Sequence, residues 1–405
     1  MVNLSDNGTN QDNEYNQMAT STGMSRRHLI QIGGGLAVVA AVAGTGHATS
    51  RGSASSANSV PVRHAAHQAT PPAGAIPQLG EQADGTRIWR VKVGGMDTEN
   101  QIDVHAFLPG EITVNAGDAV WFEFSLEMPG AHTVTFASGA EAPTFEIPDP
   151  DATPTAGPPT LIANPEVLFP IGGPAYDGTG YVNSGVDFLR TPDMPPFMLT
   201  FTEPGRYEYV CALHKLVMKG TVIVQDADAE LPMDQADYDA LAEEQFAAVV
   251  AAGRSAIEQF ADAVPTERPD GTTLWEMTAG AGGEAQARVM RFLPDTLEIG
   301  VGDTIRWVDR SVGEPHTVTF LGGEEAPELN LIEPQPAGPP KLIFNELVIL
   351  PQGDGEYDGT GYTNSGFLST PITNSDSYEV TFTAAGEFDY LCVIHEGMKG
   401  KVLVR

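Results

Sequence analysis

The chain reads as mainly β: two Greek-key β-sandwich domains joined by an α-helical linker. Three observations predict this. Gly (44) and Pro (31) are abundant among 405 residues, which favours turns and short strands over a helical bundle. Apolar or alternating runs recur with turn signals every 8–12 residues or so, the spacing of a sandwich or barrel. The body of the chain is also one unit written twice. At ordinary domain sizes this length holds two or three domains.

Residues 1–48 read as an N-terminal extension and a targeting segment. Arg26-Arg27 precede an apolar run over 33–44 and the small-residue end Gly46-His47-Ala48, the order of a secretory signal. Ser25-Arg26-Arg27-His28-Leu29-Ile30 is similar to the twin-arginine signal, so the chain is expected to be exported and extracytoplasmic. The run is short and glycine-rich for a membrane span. Left uncleaved, it would anchor the chain to a membrane. Residues 49–75, rich in Ala, Ser and Pro, read as a flexible linker.

The first copy spans 76–225 and the second 265–405. Phe107-Leu-Pro-Gly matches Phe292-Leu-Pro-Asp, and His132-Thr-Val-Thr-Phe136 matches His316-Thr-Val-Thr-Phe320. Tyr176-Asp-Gly-Thr-Gly-Tyr-Val-Asn-Ser-Gly185 matches Tyr357-Asp-Gly-Thr-Gly-Tyr-Thr-Asn-Ser-Gly366, and Cys211-Ala-Leu-His214 matches Cys392-Val-Ile-His395. From Gly157 to His214 the offset is a constant 181. Strands are expected at 112–118, 119–124, 197–202, 205–210 and 220–224, and at 378–383, 386–391 and 400–404. Between the copies, 226–264 reads as a helical linker. Tyr238, Leu241, Phe246, Val250, Ile257, Phe260 and Val264 fall at helical spacing, and Asp234 with Asp237 makes an N-terminal cap.

Charge narrows the partners. Lys+Arg number 21 against 54 Asp+Glu, a net charge of -33. The acidity is spread over everything after residue 75. Nucleic acid and anionic lipid surfaces need a basic face, so neither is expected as a partner. The acidity reads as a solvated surface that keeps the chain soluble, in preference to a docking face for a basic partner.

The chemistry lies in His, Cys and Met. Copy one has His132, then Cys211, His214 three residues on and Met218 seven on. Copy two has His316, Cys392, His395 three on and Met398 six on. Two imidazoles, a thiolate and a thioether are the donor set of an electron-transfer copper site, with the thioether as a long axial ligand. A zinc site more often shows paired Cys or four strong donors. Three competing readings stand beside this one. His132 would be a structural strand residue, which its recurrence as His316 in an identical pentapeptide disfavours. Cys211 and Cys392 would pair as a disulfide, which leaves the x-x-His after each unexplained. Met218 and Met398 would be space-filling core residues.

With these residues in view, each copy resembles the cupredoxins, the small blue copper proteins such as plastocyanin, halocyanin and amicyanin. The Gly-Asp turn, the His-Thr-Val-Thr-Phe strand and the Cys-x-x-His…Met-Lys-Gly ending carry the resemblance, which covers about 280 residues. It implies cupredoxin-like sandwiches and two type 1 copper ions, one per copy. The implied ligands are His132, Cys211, His214 and Met218 in copy one, and His316, Cys392, His395 and Met398 in copy two. It further implies an electron carrier serving unidentified protein redox partners, with the edge of His214 or His395 exposed as the electron port. Leu216 and Val217 are the expected docking patch. The second loop is amicyanin-like and the first one residue longer, so the two potentials are expected to differ.

One point departs from small family members. His132 and Cys211 are separated by 78 residues, and His316 and Cys392 by 75. The added length reads as a folded insert packed on its sandwich, in preference to a cover over the copper edge or a partner contact. Two-domain cupredoxins also build nitrite reductases and laccases, which need a His directly before the Cys and His-x-His pairs. Val210 and Leu391 precede the cysteines here, and no His-x-His occurs. His105 aligns with Met290, so no role shared by both copies is expected of it. An enzyme is therefore not expected. A copper-binding or storage module, or a cell-surface domain, is the alternative.

Overall fold

In the first copy, strand Arg87–Val93 runs parallel to Ala119–Phe124, which pairs antiparallel with Phe197–Phe201. A second sheet sets Lys219–Gln225 between Glu111–Asn115 (parallel) and Gly205–Val210 (antiparallel) and continues through Thr135–Phe136 to Val182–Ser184. The second copy repeats both patterns. Thr273–Ala281, Thr304–Val308 and Ser377–Phe382 make one sheet; Thr296–Ile299, Lys399–Val404, Gly386–Leu391 and Thr319–Phe320 make the other. The apolar faces meet in two cores. Trp89, Phe122, Phe136 and Tyr209 fill the first, and Trp307, Phe320, Phe382 and Tyr390 the second. The computed structural model describes residues 76–125, 130–153, 157–282 and 286–405, all within the unit Gln68–Arg405. The signal and linker expected over 1–75 lie outside them.

The Gly-Asp turns have a local physical role. Gly117 has φ +98° and Gly302 φ +91°, conformations a side chain resists. They aim Asp118 and Asp303 back at the first strand of each copy. Asp118 accepts from the Arg87 backbone N–H (2.8 Å) and the Trp89 indole (2.9 Å). Asp303 does the same with Thr273 (2.7 Å) and Trp275 (3.2 Å). The strand expected over 112–118 accordingly stops at Asn115.

The helix forms at Gln235–Gln259 with the expected capping box of Asp234 and Asp237. It ends before Val264, which instead opens the strand Val264–Glu267. Ala242, Val250 and the half-buried Phe246 pack on Ile102, Val104, Ala281 and Val289. Gly253 lets the helix approach closely, since a Cβ there would lie 2.7 Å from Ile102.

That helix lies along a seam where the copies pair with each other. Ile102–Val104 joins Ala287–Leu293 antiparallel, with Asp103 opposite Arg288. With the 185-residue offset of the Phe-Leu-Pro motif, those two are counterparts, so the pairing is locally two-fold. A second such point is Ile162 opposite Ile343, where the two inserts build one four-stranded sheet. Lys341 crosses this sheet to Asp149 at 3.0 Å. Each insert therefore packs on its counterpart as well as on its own sheets. Val167, Leu168, Phe344 and Val348 share a core with Ala212 and Val393, the residues that follow the two cysteines. Among the described residues no helix is long and apolar enough to cross a membrane.

Candidate metal centres

Each Cys lies just past a strand end, and the following loop folds back on it. The Cys211 N–H donates to the Met218 carbonyl (3.0 Å) and the Met218 N–H to the His214 carbonyl (2.9 Å). In the shorter second loop the Cys392 N–H donates to Met398 (3.0 Å) and the Met398 N–H to His395 (3.2 Å). There Gly397, at φ +90°, makes the turn. Met218 and Met398 are buried in the same cores as Cys211 and Cys392. Both cysteines are buried and free, so the disulfide does not form.

The distant histidines come from the His-Thr-Val-Thr-Phe strands, which the inserts hold in place. Asn183 accepts from the Thr135 hydroxyl (2.9 Å) and donates to the Val167 carbonyl (2.9 Å); Asn364 repeats this with Thr319 (2.8 Å) and Val348 (2.9 Å). Ser184 and Ser365 accept from the N–H of Val134 and Val318, both at 2.8 Å. The Asn-Ser pair of the long motif thus anchors the histidine strand. Thr133 and Thr317 each donate a backbone N–H to the Cys sulfur at 3.4 Å.

The donors converge. His132 Nδ1 lies 3.2 Å from His214 Nδ1, and Cys211 Sγ 3.6 Å from His214 Nδ1. In copy two the same distances are 3.1 Å and 3.4 Å. Three donors around one ion at about 2.0–2.3 Å sit about 3.2–3.8 Å apart, so both triads fit a single metal ion. Burial opposes ionisation of both thiols, but the charge of His214 or His395 and hydrogen bonds from both imidazoles hold each well below the usual range. Burial likewise opposes protonation of His214 and His395, and the adjacent thiolate and Glu314 outweigh it, raising both to about 10. Without metal, each centre is a thiolate–imidazolium pair.

The surroundings correct two expectations. The edges of His214 and His395 are not exposed electron ports. His214 is 4% exposed, and both Nε2 atoms face Glu314, itself 7% exposed. Leu216 is exposed as expected, but Val217 is half-buried and its carbonyl accepts from Gln286 of the second copy (3.2 Å). His105 lies at the first centre alone. It is fully buried, stacks on His214 with ring centres 3.9 Å apart, and sits 3.5 Å from Asp103 and 3.7 Å from Glu314. Among the described residues neither of its ring nitrogens has a hydrogen bond. Burial, then the charge of His214, pushes it down to about 3, so it is neutral. His105, Asp103 and Glu314 also make metal-like groupings, but each grouping borrows His132 or His214 from the first triad. Sequence reasoning missed Glu314 and Asp103. The one signal was a break in the repeat, Glu314 standing two before His316 where copy one has Gly130 before His132.

Residues 279–405 match the family model of copper binding proteins, plastocyanin/azurin family. Amicyanin of Paracoccus denitrificans is 29% identical over 116 residues, 28% of this chain and 59% of that protein. The chloroplastic plastocyanin of Chlamydomonas reinhardtii is 28% identical over 123 residues, 30% of this chain and 63% of that protein. The chain thus spans about three fifths of the length of the curated relatives it matches. A solved amicyanin mutant in its Cu(I) form is 22% identical, covering 35% of this chain and 91% of that one at a TM-score of 0.20. Residues 279–405 are thus similar to the plastocyanin/azurin family, in a chain that is mainly β.

Proposed function

We propose that this is an exported two-copper electron-transfer protein with one type 1 copper in each of two Greek-key cupredoxin-like domains, 76–225 and 265–405, joined by a helical linker over 226–264. One observation carries it: the same Cys-His-His triad occurs twice, with donors 3.1–3.6 Å apart, each on a loop closed by a buried Met. His132, Cys211, His214 and Met218 would hold one ion, and His316, Cys392, His395 and Met398 the other. Bound there, copper supplies a one-electron couple. The protein's part is to keep the donors still. The inserts fix the histidine strands, the Thr133 and Thr317 N–H groups soften the thiolate charge, and the buried cores keep water away. Because Glu314 covers the His214 and His395 edges, redox partners would dock elsewhere on the surface.

The test is a visible spectrum of copper-loaded protein with a copper count per chain. An intense thiolate-to-copper band at about 600 nm with about two coppers per chain is expected. Cys211→Ser and Cys392→Ser should each remove one copper and part of the band. Absence of the band sinks the reading.

A further inference from the structure

We propose that Glu314 couples the two centres into one unit, so that filling one strengthens binding at the other. The inference rests on the metal reading above and deepens it. In each triad Nδ1 faces the thiolate, which leaves Nε2 to carry the proton. The His214 Nε2–H donates to Glu314 Oε2 at 3.0 Å, and the His395 Nε2–H to Glu314 Oε1 at 2.7 Å. One carboxylate thus holds a ligand imidazole from each copy, with one oxygen committed to each.

The arrangement is one-sided. Gly130 occupies the counterpart position, and a Cβ there would lie 2.4 Å from His132 Nε2. A carboxylate from the first copy would displace its own ligand. Copy two supplies the bridge at the seam, near the axis that pairs Asp103 with Arg288. Glu314 is buried, so neither oxygen can exchange its imidazole for bulk water. A metal at the first centre fixes the ring and tautomer of His214. That fixes the Glu314 carboxylate, which in turn orients His395. Linkage requires the same gain in the reverse direction.

Glutamine breaks this bridge specifically. It has one acceptor oxygen, and its NH₂ group would face an N–H donor, so it can hold one imidazole only. Copper(I) affinity of the second centre is measured on the full chain by competition with a coloured chelator. Wild type, C211S, E314Q and the double variant complete the cycle. With Glu314 present, emptying the first centre by C211S should weaken the second about fivefold or more. In the E314Q background the effect should fall below about twofold. Equal losses in both backgrounds, or no loss in either, overturn the proposal. Should E314Q misfold, imidazole N–H resonances of C211S serve instead. The His214 Nε2–H signal should shift when copper(I) fills the second centre, and an unmoved signal overturns the proposal. Loss of the thiolate band in copper-loaded wild type would sink the metal reading itself, which keeps the two failures apart.

Discussion

At the first centre, His132 Nε2 has no hydrogen bond among the described residues; at the second, His316 Nε2 lies 3.1 Å from Ser311 Oγ. His105 stacks on His214 in the first, where Met290 is its counterpart in the second. Gly130 precedes His132 where Glu314 precedes His316. The donors themselves superpose in kind and spacing. The matching segments therefore carry the same donor set, while the residues around the rings differ along the seam. Two triads of the same donors share the Glu314 carboxylate but differ in their other supports, a hydroxyl at the second and packing against a neutral imidazole at the first.

The largest expected effects remove one centre at a time. Gly94 (φ +70°) and Gly280 (φ +79°) lie against the His132 and His316 rings: a Cβ would come 2.4 Å from His132 Nε2 or 2.0 Å from His316 Nε2. Gly94→Ala should abolish copper at the first centre only and Gly280→Ala at the second only, each costing about 1–3 kcal/mol of stability from the strained backbone. Copper counts and melting curves decide. A variant that still binds two coppers would show that the ring position is not what the glycine protects.

The next effect is on pH. Without metal, His214 and His395 stay protonated up to about 10 and both thiols are already ionised. Each centre must then expel the imidazolium proton of His214 or His395 on loading, and at the first centre, against burial, the Cys211 sulfur and Asp103 raise His132 as well, so affinity should fall as pH drops below about 10, more steeply at the first centre. Calorimetry of C211S and C392S in buffers of different ionisation heat reads the protons released at each remaining centre. Zero release at either would show a neutral imidazole there. Smaller still is Ser311→Ala, which should weaken the second centre about tenfold and leave the first unchanged. A matching loss at the first centre would mean that Ser311 acts on the seam and not on His316. Last, His105→Met copies the second centre into the first. Because both His105 nitrogens lack hydrogen bonds among the described residues, the variant should be as stable as wild type or more stable by about 1 kcal/mol. A marked drop in melting temperature would assign His105 an essential partner.

Much of this was legible in residue order. The strands at Ala119–Phe124, Gly205–Val210 and Gly386–Leu391 fall where alternation and turn residues expect them. The helix cap at Asp234 does as well. These are local properties, set by backbone preference and by which face of a short element is apolar. The triads were legible because Cys-x-x-His holds two donors on one tight loop, and because the repeat points to the distant histidine. The end of the helix at Gln259 was not legible. Phe260 caps the helix, and Val264, which continues the helical spacing, is used by a strand that pairs it with Glu276.

By itself, the sequence determined which donors exist, how they are spaced, and that both copies carry the same set. Only the tertiary structure decided that the two copies turn their histidine edges inward on one buried carboxylate. Nothing in the spacing of residues 214, 314 and 395 brings them together. Their meeting follows from the strand pairing of Asp103 with Arg288 and Ile162 with Ile343, and from the helix laid over that seam. Such contacts are weak one by one and non-local. They set the relative placement of two rigid repeats only in sum, and a linear pattern of residues does not carry that sum.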